Sequence, residues 1–320
     1  MKREDFEYDS RDGRTKLHGV RWIPDESPRC ILQIVHGMAE HVERYEDFAE
    51  YLCKKGILVT AEDHLGHGKS VVDGKTGYFC KQDPATVVVR DVHRLKKMTQ
   101  ELYPGVPYFI LGHSMGSFIL RNYLCKYGKG IDGAIVMGTG MQPKIMVLGL
   151  KILAGLACVF GKAAKPCPFV NNVAFGTYLK RIPDKRTDYD WLTKVDSVVD
   201  KYIEDPLCGY IFPGNGFKTL GELIWRLHKD VYISKMPVTL RVLITSGAED
   251  PVGDYGNGVQ RASRLLRTAG CKKIACHLYS GARHEILNEF CKEEVIGDVV
   301  KFIRYTCLPK EEAKQENEKS

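Results

Sequence analysis

Residues 108–124 read Y-F-I-L-G-H-S-M-G-S-F-I-L-R-N-Y-L, and little else in the chain restricts its fold as strongly. The apolar run Tyr108–Leu111 predicts a buried strand, and Ser117–Leu124 returns to helical spacing. Gly112-His113-Ser114-Met115-Gly116 lies between them and must turn sharply. Flanking glycines let strand and helix pass without a Cβ clash, while the serine at the tip is held in strained backbone with its hydroxyl thrust into the open. Three fixed positions arise by chance in about one chain in ten of this length, so the strand before and the helix after carry the reading.

Strands and helices alternate on either side of this unit. Phe6–Tyr8 and Leu17–Trp22 predict an antiparallel opening around the turn Ser10–Arg14. Cys30–Val35 is too continuously apolar for a half-exposed strand, so it is expected to be buried, ending at His36-Gly37-Met38-Ala39-Glu40-His41. A helix from about Arg44, a strand Ile57–Ala61 and an amphipathic helix from Pro84 to Tyr103 lead to the central unit, and Ile131–Met137 predicts a further strand. The rhythm returns with a strand over Val238–Thr245, a helix over Val259–Ala269, a strand Lys273–Tyr279 and a last helix from about Glu293. Such alternation predicts an α/β fold, a mostly parallel eight-stranded sheet with helices on both faces.

Between Thr139 and Met236 the alternation stops. The segment has helix-like stretches and prolines but no clear buried strand, so it is expected to be an inserted helical cap. The expected organisation is a core of residues 1–138 and 237–308, a cap of 139–236, and a polar tail of 309–320. Fourteen Lys and Arg against nine Asp and Glu give the cap +5 of the chain's net charge of +7. Its lysines alternate with apolar residues and not with stacking aromatics, which argues against nucleic acid and suits an anionic lipid surface. Ile145–Phe160 is strongly apolar but interrupted by Lys151 and two glycines; at sixteen residues it is expected to fall short of a membrane span. As a cap helix it would line an acyl-chain pocket, rest on a membrane interface, or simply pack on the core. Eleven cysteines without C-x-x-C spacing suggest reduced thiols, no disulfide framework and no metal. Met1–Asp5 opens no apolar signal segment, which predicts a cytoplasmic protein, at most peripheral to a membrane. Oligomeric state is not legible.

A serine hydroxyl needs an imidazole to take its proton and a carboxylate to orient that imidazole. In an open α/β sheet these belong in loops after the carboxyl ends of strands. Asp250 follows the Val238 strand and His284 follows the last one, so Ser114, Asp250 and His284 occur in the order serine, acid, histidine. Glu249 and Asp254 are alternative acids in the same loop. His277 lies inside a strand and reads as a packed or edge residue. An oxyanion would be met by the backbone N–H groups of Met38, in the glycine turn after the third strand, and Met115, the residue after the serine.

These residues, with Glu40-His41, Arg44-Tyr45, Asp63-His64, Gly66-His67-Gly68, Ser70 and Glu285, make residues 10–305 resemble the monoacylglycerol lipase and lysophospholipase-like α/β-hydrolases. The resemblance implies an α/β-hydrolase fold with the same triad and oxyanion positions, and a polar network of Glu40, His41, Arg44, Asp63, His64 and His67 near the site. The expected activity is a serine carboxylic ester hydrolase acting on a small-molecule acyl ester, such as a monoacylglycerol, with no cofactor. A lysophospholipase or general carboxylesterase is the near alternative. An aminopeptidase would need carboxylates for the substrate ammonium in a cap that is net basic. A non-catalytic binding protein of the same fold would be expected to have lost part of the triad.

Overall fold

A computed structural model describes residues 1–307; the polar tail, residues 309–320, lies outside them. Eight strands form one sheet in the order β1-β2-β4-β3-β5-β6-β7-β8: β1 (Lys2–Asp9), β2 (Lys16–Ile23), β3 (Cys30–Val35), β4 (Ile57–Glu62), β5 (Tyr108–His113), β6 (Gly133–Met137), β7 (Arg241–Gly247) and β8 (Lys273–Tyr279). Only β2 runs against its neighbours, pairing antiparallel with β1 and β4. The central strands β3, β4, β5 and β6 are buried along their whole length, as continuous apolar runs require when helices cover both faces.

Those helices are α1 (Glu46–Cys53), α2 (Pro84–Leu102), α3 (Met115–Tyr127), α9 (Asn257–Thr268) and α10 (Lys292–Cys307), with α4 (Lys144–Ala157), α5 (Pro168–Phe175), α6 (Asp196–Glu204), α7 (Gly214–Arg226) and α8 (Asp230–Ile233) between β6 and β7. Two apolar layers result. One packs α2, α3 and α9 on the sheet and continues into α4 and α7, and the other packs α1 and α10 on the opposite face.

Two expectations shift. The strand expected from Val238 begins at Arg241, because Val238 is half exposed and Pro237 starts a turn. The apolar helix is also longer than sixteen residues. It starts at Lys144 and a π turn, Cys158–Lys162, extends it until Gly161 adopts φ +77°. At 19 residues, Lys144–Lys162 is long and apolar enough by length and composition to cross a membrane, which corrects the expectation that it falls short. Here it lies against α7, with Val147 and Ala154 buried and Lys151 Nζ 2.6 Å from Glu222 Oε2.

Candidate active site

Parallel register decides which loops meet. Val35 of β3 lies beside Gly112 of β5, His113 beside Met137 of β6, Met137 beside Thr245 of β7, and Gly247 beside Tyr279 of β8. The loops after β3, β5, β7 and β8 therefore leave the sheet at one edge, carrying Met38, Ser114, Asp250 and His284.

Ser114 sits between β5 and α3 with φ 53° and ψ −120°, a conformation costly for any residue with a Cβ. The glycines beside it are obligatory. A methyl on Gly116 would fall on the carbonyl oxygens of Val35 and His36, and one on Gly112 would fall on the carbonyl of Gly116. The turn is held by Ser114 N–H donating to Met137 O at 3.0 Å and by Ser117 Oγ donating to Ser114 O.

His284 Nδ1 lies 2.9 Å from Asp250 Oδ2. Both residues are buried, and the carboxylate also accepts from Ser246 Oγ and from the Val252 N–H, each at 2.8 Å. Burial alone would raise the Asp250 pKa; the neighbouring imidazole and these donors outweigh it and hold the pKa below the ordinary value. The alternative acids point elsewhere: Glu249 pairs with Lys194, and Asp254 with Arg261. His277 is on the exposed edge strand.

Met38 and Met115 line the same cavity as Ser114 and His284. Met115 is the first residue of α3, so its N–H precedes the helical hydrogen-bond ladder. The turn holding Met38 is clamped on both sides. Gly37 N–H donates to Glu40 Oε1, and the Ala39 carbonyl, at a residue with φ 53°, accepts from Gly209 N–H and Tyr202 Oη, both at 3.0 Å. Tyr202 and Gly209 belong to the segment between β6 and β7.

The expected polar network is present and reaches further than the sequence indicates. Arg44 donates to Glu40 at 2.8 Å and, through both terminal nitrogens, to both oxygens of Glu285 at 2.7 Å, so the residue after His284 is tied to the turn after β3. Burial would favour neutral carboxyls. The Arg44 charge, with His113 on Glu40, reverses that and keeps Glu285 and Glu40 acidic. His113 Nδ1 lies 3.2 Å from Glu40 Oε1, and its ring is 4.8 Å from that of His284. His36 stacks on His64, and His67 packs against both at a tilt; burial lowers His64 to about 4 and His67 to about 3. His41 bonds Asp205 at 2.7 Å, and Asp63 accepts from His18 and from the Val42 and Lys69 N–H groups.

Residue spacing alone could not find two further neighbours. The Trp191 ring lies 5.1 Å from that of His284, and Arg121, buried on α3, has its guanidinium donating to Gly140 O and Thr139 Oγ1. Above Ser114 the cavity measures about 770 Å³; its apolar wall includes Phe118, Leu150, Leu153 and Phe175. That size suits a single small organic ligand.

A family model described as serine aminopeptidase, S33 matches residues 26–290. Monoacylglycerol lipase of Mycolicibacterium smegmatis is 28% identical over 284 residues, covering 88% of this chain and 90% of the relative. Monoglyceride lipase of Homo sapiens is 30% identical over 269 residues, 84% of this chain and 79% of the relative. Among solved structures, a thermostable carboxyl esterase from Bacillus coagulans in complex with glycerol superposes with a TM-score of 0.89 at 29% identity, covering 96% of this chain and 100% of that one.

Proposed function

Since the chain belongs to the serine aminopeptidase S33 family of α/β-hydrolases and is a carboxylic ester hydrolase of the monoacylglycerol lipase-like kind, we propose that it cleaves monoacylglycerols through an acyl-enzyme on Ser114. The observation that carries this reading is the His284–Asp250 hydrogen bond, buried at the sheet edge in the same apolar cavity as the strained Ser114. In this reading residues 139–236 form a cap that holds the acyl chain.

Ser114 Oγ attacks the ester carbonyl carbon and its proton passes to His284 Nε2. The ionised Asp250 stabilises the imidazolium through Nδ1. The N–H groups of Met38 and Met115 meet the oxyanion, and the clamped Ala39 carbonyl keeps the first of them from drifting. His284 then returns the proton to the departing glycerol oxygen. Water, deprotonated by the same imidazole, attacks the acyl-enzyme and releases the fatty acid. No cofactor enters these steps.

An ester fits this cavity better than a peptide amine. Of the carboxylates lining it, Glu40 and Glu285 are committed to Arg44, while Asp188 shares the wall with Lys180 and Lys185. Those two lysines favour one second reading, a lysophospholipase whose headgroup phosphate lies at the mouth. The exposed apolar residues of α4, its π turn and α5, among them Ile145, Met146, Phe160 and Phe169, support a peripheral contact with the lipid surface from which substrate is drawn.

Initial rates on p-nitrophenyl esters from acetyl to palmitoyl, with 1-monoacylglycerol, lysophosphatidylcholine and an aminoacyl-p-nitroanilide alongside, test this reading. It expects rates that rise with acyl length, favour the monoacylglycerol and vanish in Ser114→Ala. Preference for lysophosphatidylcholine selects the second reading, and preference for the anilide contradicts both.

A further inference from the structure

Asp205 and Cys208 lie between α6 and α7, and the fold sets them against His41 in the loop after β3. His41 Nε2 is 2.7 Å from Asp205 Oδ2 across 164 residues of chain, and one donor atom from each of the three residues lies within 4.8 Å of the others. His41 and Cys208 are buried, while the Asp205 side chain is 29% exposed, so the group is open to solvent on that side. Asp205 is already aimed. Its Oδ1 accepts the Leu207 N–H at 2.8 Å, which leaves Oδ2 facing the imidazole, and the Cys208 N–H donates to the Asp205 carbonyl at 3.0 Å, folding the turn back on itself.

Charge and chemistry both favour a metal ion here. Arg44, Glu40 and Glu285 act electrostatically on Cys208, but Arg44 brings one positive charge to two carboxylates. Even with His113 protonated beside Glu40, Asp205 leaves this neighbourhood net negative around a neutral His41. An imidazole nitrogen, a carboxylate oxygen and a thiol sulfur make a borderline-soft donor set, which suits zinc and not calcium or magnesium, cations that take oxygen ligands. A tetrahedral zinc with bonds of about 2.0–2.3 Å spaces its ligand atoms about 3.3–3.6 Å apart, so the His41–Asp205 pair opens by under about 1 Å and Cys208 closes by about 1 Å. The other such group among the described residues, His277, Glu294 and Asp298, is mostly exposed and has no thiol.

We propose that His41, Asp205 and Cys208 bind zinc, with water in the fourth position, as a clasp between the loop after β3 and the segment between α6 and α7. On binding, the Cys208 S–H proton leaves to water and the sulfur bonds to the metal. His41 binds through Nε2 as the neutral ring, its proton on Nδ1, and Asp205 Oδ2 exchanges its hydrogen bond for a metal bond. The same two stretches of chain already meet where the Ala39 carbonyl accepts from Gly209 N–H and Tyr202 Oη. The bound ion therefore steadies the turn that carries Met38. No local spacing signals such a site, because His41 is far from the other two in the chain.

The test strips the full chain with a chelator and titrates it with cobalt, a spectroscopic substitute for zinc. One equivalent is expected to give a thiolate-to-cobalt charge-transfer band in the near ultraviolet that zinc bleaches. Saturating zinc should raise Tm by about 3 °C or more, each variant being compared with its own metal-free form. Cys208→Ala should abolish both the band and the Tm rise. His41→Gln and Asp205→Asn should each weaken cobalt binding by about tenfold or more, and His277→Ala should leave both readouts unchanged. A band that survives Cys208→Ala, a zinc-induced Tm rise that is lost in His277→Ala instead, or no band up to millimolar cobalt would overturn the proposal.

Discussion

At the sheet edge, Ser114 is held by backbone geometry that tolerates almost no change and Asp250 and His284 by buried hydrogen bonds, whereas on α4, its π turn and α5 Ile145, Met146, Ile152, Phe160, Phe169 and Val173 are open to solvent. The edge is specified by sterics and by buried hydrogen bonds, where removing one partner leaves a charge or donor stranded. The helices are specified by little more than their apolarity. In the proposed reading, ester chemistry needs atoms held in place, while an acyl chain or a lipid surface needs only apolar area, and the two regions differ accordingly.

The sharpest way to break that contrast is to remove the proposed nucleophile. Ser114→Ala is expected to lower kcat by on the order of 10⁴-fold or more while leaving Tm within about 2 °C, and residual turnover near the native rate would show that another group does the chemistry. Breaking the scaffold should act through stability instead. Arg44→Ala strands Glu40 and Glu285 in a buried site and is expected to cost about 3–5 kcal/mol in urea unfolding. Gly116→Ala should cost about 3 kcal/mol or prevent folding, because its methyl group overlaps the Val35 carbonyl. A loss under about 1 kcal/mol in either variant would mean that the edge is as forgiving as the helices.

On the outer helix face the expected effects are smaller and selective. Phe160→Ser with Phe169→Ser should leave hydrolysis of a soluble short-chain ester unchanged but reduce the rate on vesicle-borne monoacylglycerol by about 3–10-fold. An equal loss on both substrates would make this face part of the core.

The smallest expected effect concerns pH. His64 and His67 stay neutral in the fold down to about 4 and about 3, whereas unfolded histidines charge below about 6.5. The unfolded chain therefore binds the extra protons as pH falls through 6.5, and each histidine removes about 1.4 kcal/mol of stability per pH unit below that. Glu62 and Asp91 act in the reverse sense. Burial raises both to about 8, so the fold keeps protons that the unfolded chain releases above pH 4, and their contribution is lost as pH rises toward 8. From these four groups Tm should be level between about pH 4.5 and 6.5 and fall on either side. Glu62→Gln should flatten the alkaline side, and an unchanged alkaline slope would show that Glu62 does not set it.

The same contrast governs how much of the molecule is legible in its amino-acid sequence. The elbow is legible because glycine, serine and the strand–helix switch each have a steric meaning at a fixed spacing. Asp250 and His284 are expected just past the ends of strands because serine chemistry would need them there, and the fold brings the two side chains into hydrogen-bond contact. The Arg44–Glu285 pair is less so: the family resemblance places Arg44 in the scaffold, but only the fold shows that it grips the residue beside His284. Contacts from the segment between β6 and β7, such as Tyr202 on Ala39 and Trp191 on His284, carry no periodic signature because they join residues far apart in the chain. The length of the α4 run escapes a count of apolar residues because the π turn carries helical structure past them to Lys162.

The most direct test of the central claim is the intact mass of the protein after reaction with a fluorophosphonate ester, followed by peptide mapping. One adduct is expected, on Ser114, forming in step with the loss of esterase activity and absent from Ser114→Ala. An adduct on another residue, or full inactivation with Ser114 unmodified, would contradict the assignment of Ser114 as the nucleophile.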